Sequence, residues 1–152
     1  GPIQNAPSWQ EQAIEYLQQF AKDNAVEGID IASPRLRKKP EDFDYDEQVE
    51  WEKHYLEHSG LNGVILFWMA KPEDETKLDP TRAYAQTTRF ELAEWFGRAQ
   101  YIDVCFSIGY EEGFHGIRYI TKRFNEDLGE YLHKSLKDTC EHAILSFKPF
   151  KG

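Results

Sequence analysis

The side chains whose type and spacing could do chemistry in this sequence are mainly carboxylates. Glu91 lies near the start of an amphipathic segment, four residues after Thr87, where its carboxylate could face a crevice. Phe90 and Trp95 would then help to bury the helix that carries it. The same glutamate could instead lie on an exposed face, where its charge compensates the positive end of the helix dipole. Spacing alone leaves both interpretations open.

A second concentration of acids runs from Glu41 to Glu52, with seven carboxylates and no base. Such a charge run is usually a solvated face. Aromatic residues are interleaved with the acids, however, and predict that one side of the segment is packed. We therefore expect Asp44 or Asp46 to cap a helix that continues through Leu56.

The cysteines and histidines point to neither a disulfide nor a metal. Cys105 and Cys140 are far apart, and their spacing does not suggest a zinc site, so we expect reduced core thiols. His54 and His58 are the only histidines at helical spacing. Two histidines without a third ligand favour an exposed helix face over a metal site. No metal and no cofactor are expected.

The elements that must position these groups alternate along the chain. Apolar periodicity predicts a first helix from an N-cap at Ser8 to about Asn24, and Thr87 and Thr88 are good cap types for a helix that contains Glu91. Helical spacing also predicts a short helix over 117–124 and a final one over 128–144, with Gly129 as a soft spot.

Three segments are expected to be strands. Residues 28–33 alternate small and apolar side chains before Pro34, residues 64–69 form an uninterrupted apolar run, and 101–108 is the third. Six apolar residues without polar alternation suit a strand covered on both faces, which is typical of a parallel sheet.

The order predicts a single α/β domain over residues 1–152, with a doubly wound parallel sheet, flavodoxin-like or Rossmann-like, and helices on both faces. Such a sheet normally opens with a strand, and this pattern begins with a helix. We expect the first strand to be missing from this chain or supplied by residues outside it. A ligand would bind outside the carboxyl ends of the strands.

Composition restricts the partners. A net charge of -9 is the wrong sign for a protein that binds a nucleic acid polymer through a general basic field. No stretch approaches the roughly 20 apolar residues needed to span a bilayer, and the N-terminus lacks the pattern of a secretory signal. We expect a cytoplasmic protein without a membrane or nucleic acid polymer as partner.

Four segments, in order over most of residues 1–120, form a recognisable pattern. They are Gly1-Pro2-Ile3-Gln4 with Ser8-Trp9-Gln10, then Tyr45-Asp46-Glu47-Gln48-Val49-Glu50-Trp51-Glu52, then Val64-Ile65-Leu66-Phe67-Trp68, and last Thr87-Thr88-Arg89-Phe90-Glu91-Leu92-Ala93-Glu94-Trp95. Together they resemble the nucleoside 2-deoxyribosyltransferase-like family. The resemblance implies a flavodoxin-like domain that acts on the N-glycosidic bond of a nucleoside or nucleotide, often as a homodimer or a dimer of dimers.

The resemblance also implies roles for single residues. Glu91 matches the family's nucleophile, which attacks the anomeric carbon and holds a covalent glycosyl ester. Asp46 matches an acidic position that could bond the base or supply a proton to the departing ring nitrogen. The remaining matched residues are candidate substrate-binding groups: Gly1 and Pro2 in a glycine-proline turn, Trp9 and Tyr45 for stacking, Gln48, Thr87 and Thr88, and Arg89 for a 5′-phosphate.

Two departures from the family pattern leave alternatives open. The family's transferases carry an aspartate six residues before the nucleophile, where this chain has Ala85, and Asp79 is the nearest acid in the preceding loop. Arg89 could pair with Glu94 instead of a phosphate. A nucleotide-binding or sensing module of the same fold without chemistry is therefore the alternative to an enzyme, and a protein-binding domain is a third possibility.

Overall fold

The computed structural model describes residues 8–34 and 40–147. Their sheet consists of three parallel strands, β1 (Ile65–Met69), β2 (Phe106–Tyr110) and β3 (Leu132–His133), in the order β1-β2-β3. Ile65 lies opposite Phe106, and Ile108 lies opposite Leu132. The α/β class and the parallel sheet expected from the sequence are confirmed.

Helices precede, connect and follow the strands. They are α1 (Gln10–Asp23), α2 (Tyr45–Asn62), α3 (Gln86–Arg98), α4 (Ile117–Leu128) and α5 (Leu136–Ser146), with short 3-10 turns at Pro40–Asp42 and Glu75–Lys77. Helix α3 connects β1 to β2, and α4 connects β2 to β3, as parallel strands require. None of the helices in the described part of the chain has both the length and the apolar character needed to cross a membrane.

Alternate side chains of the strands pack on opposite faces of the sheet. Ile65, Phe67 and Met69 of β1 belong to the buried core cluster that includes Leu92 and Trp95 of α3. Side chains of neighbouring strand residues point to opposite faces of a sheet. Four of the five β1 residues are buried, which confirms the expected strand covered by protein on both faces.

Helix α5 packs so closely on β2 that two small residues are required there. Ser107 Oγ donates a hydrogen bond of 2.6 Å to the carbonyl oxygen of Thr139. A Cβ at Gly109 would overlap Thr139 Oγ1 and lie 2.9 Å from the Trp68 ring. Helix α1 packs against α5 on the same side, with the Cys140 thiol 3.8 Å from the Ala13 carbonyl oxygen. Cys140 is a buried free thiol, as expected.

The structure corrects the expected strand over 28–33, because these residues are in no strand. A strand is stable only when its backbone groups pair with a neighbour, and the described sheet ends at β1. The predicted strand over 101–108 begins only at Phe106, and Tyr101 is 90% exposed. Both segments have the composition of a strand. Neither residues 28–33 nor residues 101–105 belong to a strand, however.

The predicted last helix is also divided. Gly129 adopts a left-handed conformation (φ 68°) and ends α4, so β3 and a new helix, α5, follow it. Glycine favours this conformation because it has no Cβ. The residue that the sequence marked as a soft spot is therefore the boundary between two helices, and a strand lies where helical spacing had predicted none.

Helix starts were predicted with mixed success. Asp44 caps α2, since its carboxylate accepts a hydrogen bond of 3.0 Å from the Glu47 N–H. Ser8 does not cap α1, whose N-cap is Trp9 without a side-chain bond. Thr87 and Thr88 lie inside α3, which begins after Ala85 in a left-handed conformation (φ 57°).

The apolar residues of the acidic segment do not form the packed side that the sequence predicts. Phe43, Tyr45, Val49 and Trp51 are all exposed, and Tyr45 is 71% exposed. Phe90 of α3 is likewise 72% exposed rather than buried. These side chains leave an apolar surface on the described part of the protein.

Candidate functional site

A cavity of about 830 Å³ lies beside the edge of β1 that pairs with no other strand in the described part of the chain. Residues 64–68, which include most of β1, form its floor, and residues 27–34 form part of its wall. Side chains from α1, α2 and α3 complete the lining, together with the end of α5. This volume lies within the range of about 300–1,000 Å³ that small-molecule sites have.

Glu91 reaches this cavity from the first half of α3. Its side chain is partly buried, and burial raises the pKa of the carboxyl group from 4.5 to about 7. The negative charges of Glu52 and Glu94 raise the pKa further in the same direction. Near neutral pH the group is therefore divided between its acid and its carboxylate form, which suits proton transfer or nucleophilic attack.

Glu52 is a second carboxylate at the same cavity, and it is only 9% exposed. Its Oε1 accepts a hydrogen bond of 2.8 Å from Gln48 Nε2, which also donates to the Pro34 carbonyl oxygen at 3.2 Å. Gln48 therefore holds the start of α2 against the segment that ends at Pro34, and it orients the carboxylate of Glu52.

The start of α3 lies at the carboxyl ends of β1 and β2. Arg89 Nε donates to the Tyr84 carbonyl oxygen at 3.0 Å, and Arg89 Nη2 donates to the His115 carbonyl oxygen. Its guanidinium also lies 4.4 Å from the centre of the Phe114 ring. Because Tyr84 Oη in turn donates to the Ala70 carbonyl oxygen, Arg89 ties together the loops that follow the two strands.

Arg89 is thus a structural link between loops in this arrangement. The expected alternative pairing with Glu94 is wrong, since Glu94 accepts a hydrogen bond of 2.8 Å from Arg98. A role for Arg89 in binding a 5′-phosphate stays a prediction, and it would have to use a guanidinium that already has two backbone partners.

The structure brings together only some of the residues that the sequence proposed. Trp9, Thr88 and Glu91 line the cavity, and Gln48 bonds to a residue that does. Asp46, Tyr45 and Thr87 are exposed and do not belong to the cavity lining. Gly1 and Pro2 lie outside the described residues.

The sequence resemblance left Glu52 open between a supporting group beside Gln48 and an exposed helix residue beside Trp51, and it did not single out Ser33. Glu52 lies four residues after Gln48 and four before Leu56, and this i, i+4 spacing was the signal that could have placed it on the inward face of α2. Ser33 Oγ is buried without a hydrogen-bond partner, in a residue that lines the cavity. No local pattern marks such a group, because its burial depends on distant elements.

Within residues 8–34 and 40–147, no three histidine, cysteine or acidic side chains are grouped so that they could hold a metal ion. Comparisons with known protein families, curated proteins and solved structures found no match to this chain. The chemistry of the cavity therefore has to be inferred from its own residues, above all from the two carboxylates and the tryptophan rings beside them.

Proposed function

We propose that this protein cleaves or exchanges the N-glycosidic bond of a nucleoside or nucleotide, with Glu91 as the nucleophile. The observation that carries the proposal is the position of Glu91, a partly buried carboxyl group at a large cavity, with a pKa raised by burial to about 7. The resemblance of the sequence motifs to nucleoside 2-deoxyribosyltransferases supports the same substrate class and the same residue.

The reaction would proceed in two displacements. A carboxylate oxygen of Glu91 bonds to the anomeric carbon while the N-glycosidic bond breaks. The electron pair of the broken bond leaves with the base, and the ring nitrogen of the base takes up a proton. The resulting glycosyl ester is then attacked by water or by a nitrogen of a second base, which frees the carboxylate. A carboxylate suits both steps, because it stabilises a positively charged sugar transition state and leaves again from the ester.

Glu52 is the better candidate for the supporting acid than Asp46. It lines the same cavity as Glu91 and is held by Gln48, whereas Asp46 is exposed in the first turn of α2. From this position the carboxyl group of Glu52 would contact the departing base. Trp9 and Trp51, which also line the cavity, offer flat apolar surfaces for that base.

We propose that the architecture is a doubly wound, flavodoxin-like sheet. Its support is the packing of α1 and α5 on the side of Ser107 and Gly109, while α3 and α4 pack with the core residues of the other side.

Product analysis tests the function directly. The full chain is incubated with a panel of deoxynucleosides, ribonucleosides and their 5′-phosphates, with and without an acceptor base. We expect a free base or an exchanged nucleoside from at least one of them, and a loss of roughly 10³-fold or more in kcat for Glu91→Gln. Glu50→Gln, which changes an exposed acid of α2 outside the cavity lining, is the control and should retain activity.

Two further results separate a nucleophile from a general acid. A 2-fluoro deoxynucleoside analogue, whose trapped sugar departs slowly, should add its mass to the peptide that contains Glu91. The kcat/KM of the unmodified protein should rise with pH through about 7, because only the ionised carboxylate attacks. A profile that falls through this range would assign Glu91 as a general acid. If no substrate gave a product, the proposed enzymatic function would be rejected.

One observation favours a nucleotide-binding module without turnover as the second candidate. Ala85 occupies the position of the family's aspartate and is buried, and the carboxylate of Asp79 accepts hydrogen bonds from Thr81 instead. This candidate predicts nucleotide binding in calorimetry with the same affinity in the Glu91→Gln variant.

A cytoplasmic homo-oligomer remains our proposal for the assembly, supported by the exposed apolar residues of α2.

A further inference from the structure

The lining of the cavity is acidic. Glu52 and Glu91 reach it from α2 and α3, and Glu27 and Asp30 belong to its wall, together with one histidine, His58, at its rim. Among the residues that the structure describes, no lysine or arginine belongs to this lining. Side chains of one sign around a cleft focus the field inside it. The described lining therefore attracts a cation and repels an anion.

The two carboxylates of the site disfavour each other's charge. Burial is the main cause that raises the pKa of the Glu91 carboxyl group, and the negative charge of Glu52 raises this pKa further. A positive charge close to a carboxylate favours its ionised form. A ligand with a positive charge would thus be attracted by both groups, and it would favour the form of Glu91 that attacks a sugar carbon.

Aromatic rings lie beside the carboxylates. Trp9, Trp51 and Tyr55 all line the cavity, and the centres of the Trp51 and Tyr55 rings are 4.5 Å apart. These two side chains are 37% and 38% exposed, so a ligand can reach them. The face of a tryptophan or tyrosine ring attracts a cation through its quadrupole and also stacks on a flat heterocycle. A heterocycle that is both flat and positively charged would use both interactions.

Ser33 adds a polar group that a ligand would satisfy. It lines the cavity and is only 9% exposed, and its Oγ has no hydrogen-bond partner in the described part of the chain. A buried hydroxyl group without a partner is unfavourable. A sugar hydroxyl in the cavity would supply the missing hydrogen bond, so the lining offers contacts to both parts of a glycoside.

We propose, on the basis of the proposed function, that the substrate is an N-glycoside whose heterocycle carries a fixed positive charge, such as a pyridinium or an N-alkylated purine. The charged ring would bind beside Glu52 and the aromatic side chains, and the sugar would lie beside Glu91. The acidic lining selects this class over a neutral nucleoside with the same ring size.

A cationic heterocycle also changes the proton balance of the reaction. A carboxylate oxygen of Glu91 bonds to the anomeric carbon while the bond from this carbon to the ring nitrogen breaks. The electron pair of the broken bond neutralises the ring, which leaves as a neutral base without taking up a proton. Water then attacks the anomeric carbon, the electron pair of the ester bond returns to the carboxylate, and one proton is released to solvent. No general acid is needed for the departure of this base.

Binding of two probes that cannot react tests the selectivity on the full chain. The probes are 1-methyl-3-carbamoylpyridinium and its neutral 1,4-dihydro form, which share one skeleton and have no glycosidic bond. In NMR titrations at pH 8 we expect the cation to bind at least about tenfold more tightly than the neutral probe. Glu91→Gln should reduce this preference severalfold and leave the affinity for the neutral probe unchanged. Glu50→Gln, outside the cavity lining, should retain the full preference.

Turnover of the corresponding N-riboside separates this inference from the proposed function. We expect free sugar, neutral 3-carbamoylpyridine and one released proton per turnover. Equal affinity for the two probes, or an equal loss of both in Glu91→Gln, would overturn the inference, even if neutral nucleosides gave products and so upheld the function. A preference for the cation without product from any glycoside would uphold the selectivity of the cavity and reject the reaction.

Discussion

The two sides of β1 differ in packing although the strand itself contains only apolar residues. Toward β2 the strand belongs to a filled core, where Ser107 bonds to Thr139 and Gly109 leaves no room for a methyl group. Toward residues 27–34 the same strand faces a cavity of about 830 Å³. Apolar composition therefore does not by itself close a sheet, since closure requires a partner for the backbone as well.

The two sides also hold ionisable groups with opposite responses to pH. At the cavity, burial raises the pKa of the Glu91 carboxyl group. On the filled side, burial and, to a smaller extent, electrostatic interaction with His142 lower the pKa of His133. In both cases the folded protein disfavours the charged form. The contribution of Glu91 to the free energy of unfolding therefore decreases as pH rises, and that of His133 decreases as pH falls.

The largest effect is expected on the filled side, from Gly109→Ala. The new methyl group would overlap Thr139 Oγ1 and press on the Trp68 ring, and both residues are buried. We expect a loss of about 3 kcal/mol in the free energy of unfolding, measured by urea denaturation. Gly97→Ala is the matched control, because a Cβ there meets nothing within 4 Å. It lies within α3 and should stabilise the helix by about 0.5–1 kcal/mol.

A smaller and pH-dependent effect is expected at the cavity, from Glu91→Gln. The unfolded chain releases this proton near pH 4.5, whereas the folded protein holds it until about pH 7, so stability falls across this interval as pH rises. At pH 8 the variant should be more stable than the parent by about 2 kcal/mol, after allowance for solvent screening.

This second prediction is checked by urea denaturation of both proteins at pH 4.5 and pH 8. The gain should nearly vanish at the lower pH, where the carboxyl group is protonated in the folded protein and half protonated in the unfolded chain. If the variant and the parent were equally stable at pH 8, the Glu91 carboxylate would be solvated in the folded protein and its charge would not be destabilising. Glu50→Gln serves again as the control, because it changes an exposed acid of α2 that does not line the cavity.

The smallest effect is expected from His133→Phe on the filled side, and it has the opposite pH dependence. His133 Nε2 is buried without a partner, and its ring centre lies 4.7 Å from that of His142. Because the folded-state pKa lies below 6.5, the parent loses stability as pH falls below that value. The variant should lose less between pH 7.5 and 5.5 in urea denaturation.

The control for this prediction is His54→Phe, which replaces an exposed histidine of α2. It should keep the full acid sensitivity of the parent. Equal acid sensitivity in the His133→Phe variant would show that the neighbouring histidines on the filled side do not limit stability. The contrast between the two sides would then depend on Glu91 alone.

Local patterns in the sequence predicted the elements whose signal lies within a few neighbouring residues. The apolar run that became β1, the Asp44 cap of α2 and the spacing of α1 depend on neighbouring residues, and the structure contains all three. The strand expected over 28–33 and the single last helix depended on distant partners, and both predictions were wrong. A strand of two residues such as β3 carries too little pattern to recognise.

The candidate site divides in the same way. Glu91 was chosen from its motif, and in the structure it lines the cavity, while its catalytic role stays a prediction. Asp46 and Tyr45 were chosen for their position along the chain. Both are exposed, however, and the residues on the inward face of α2 are Gln48 and Glu52. Which residues of an acidic helix face inward depends on what packs against it, and the acidic run itself does not contain that information.

The sequence by itself determined the α/β class, the apolar strand β1 and the glutamate that merits testing, because periodicity and residue type act over a few neighbouring positions. Only the tertiary structure decided that β1 is an edge, that Glu52 shares its cavity with Glu91, and that Arg89 ties two loops together. These features arise from contacts between segments far apart in the chain, where burial and hydrogen bonding select among arrangements that local propensity leaves equal.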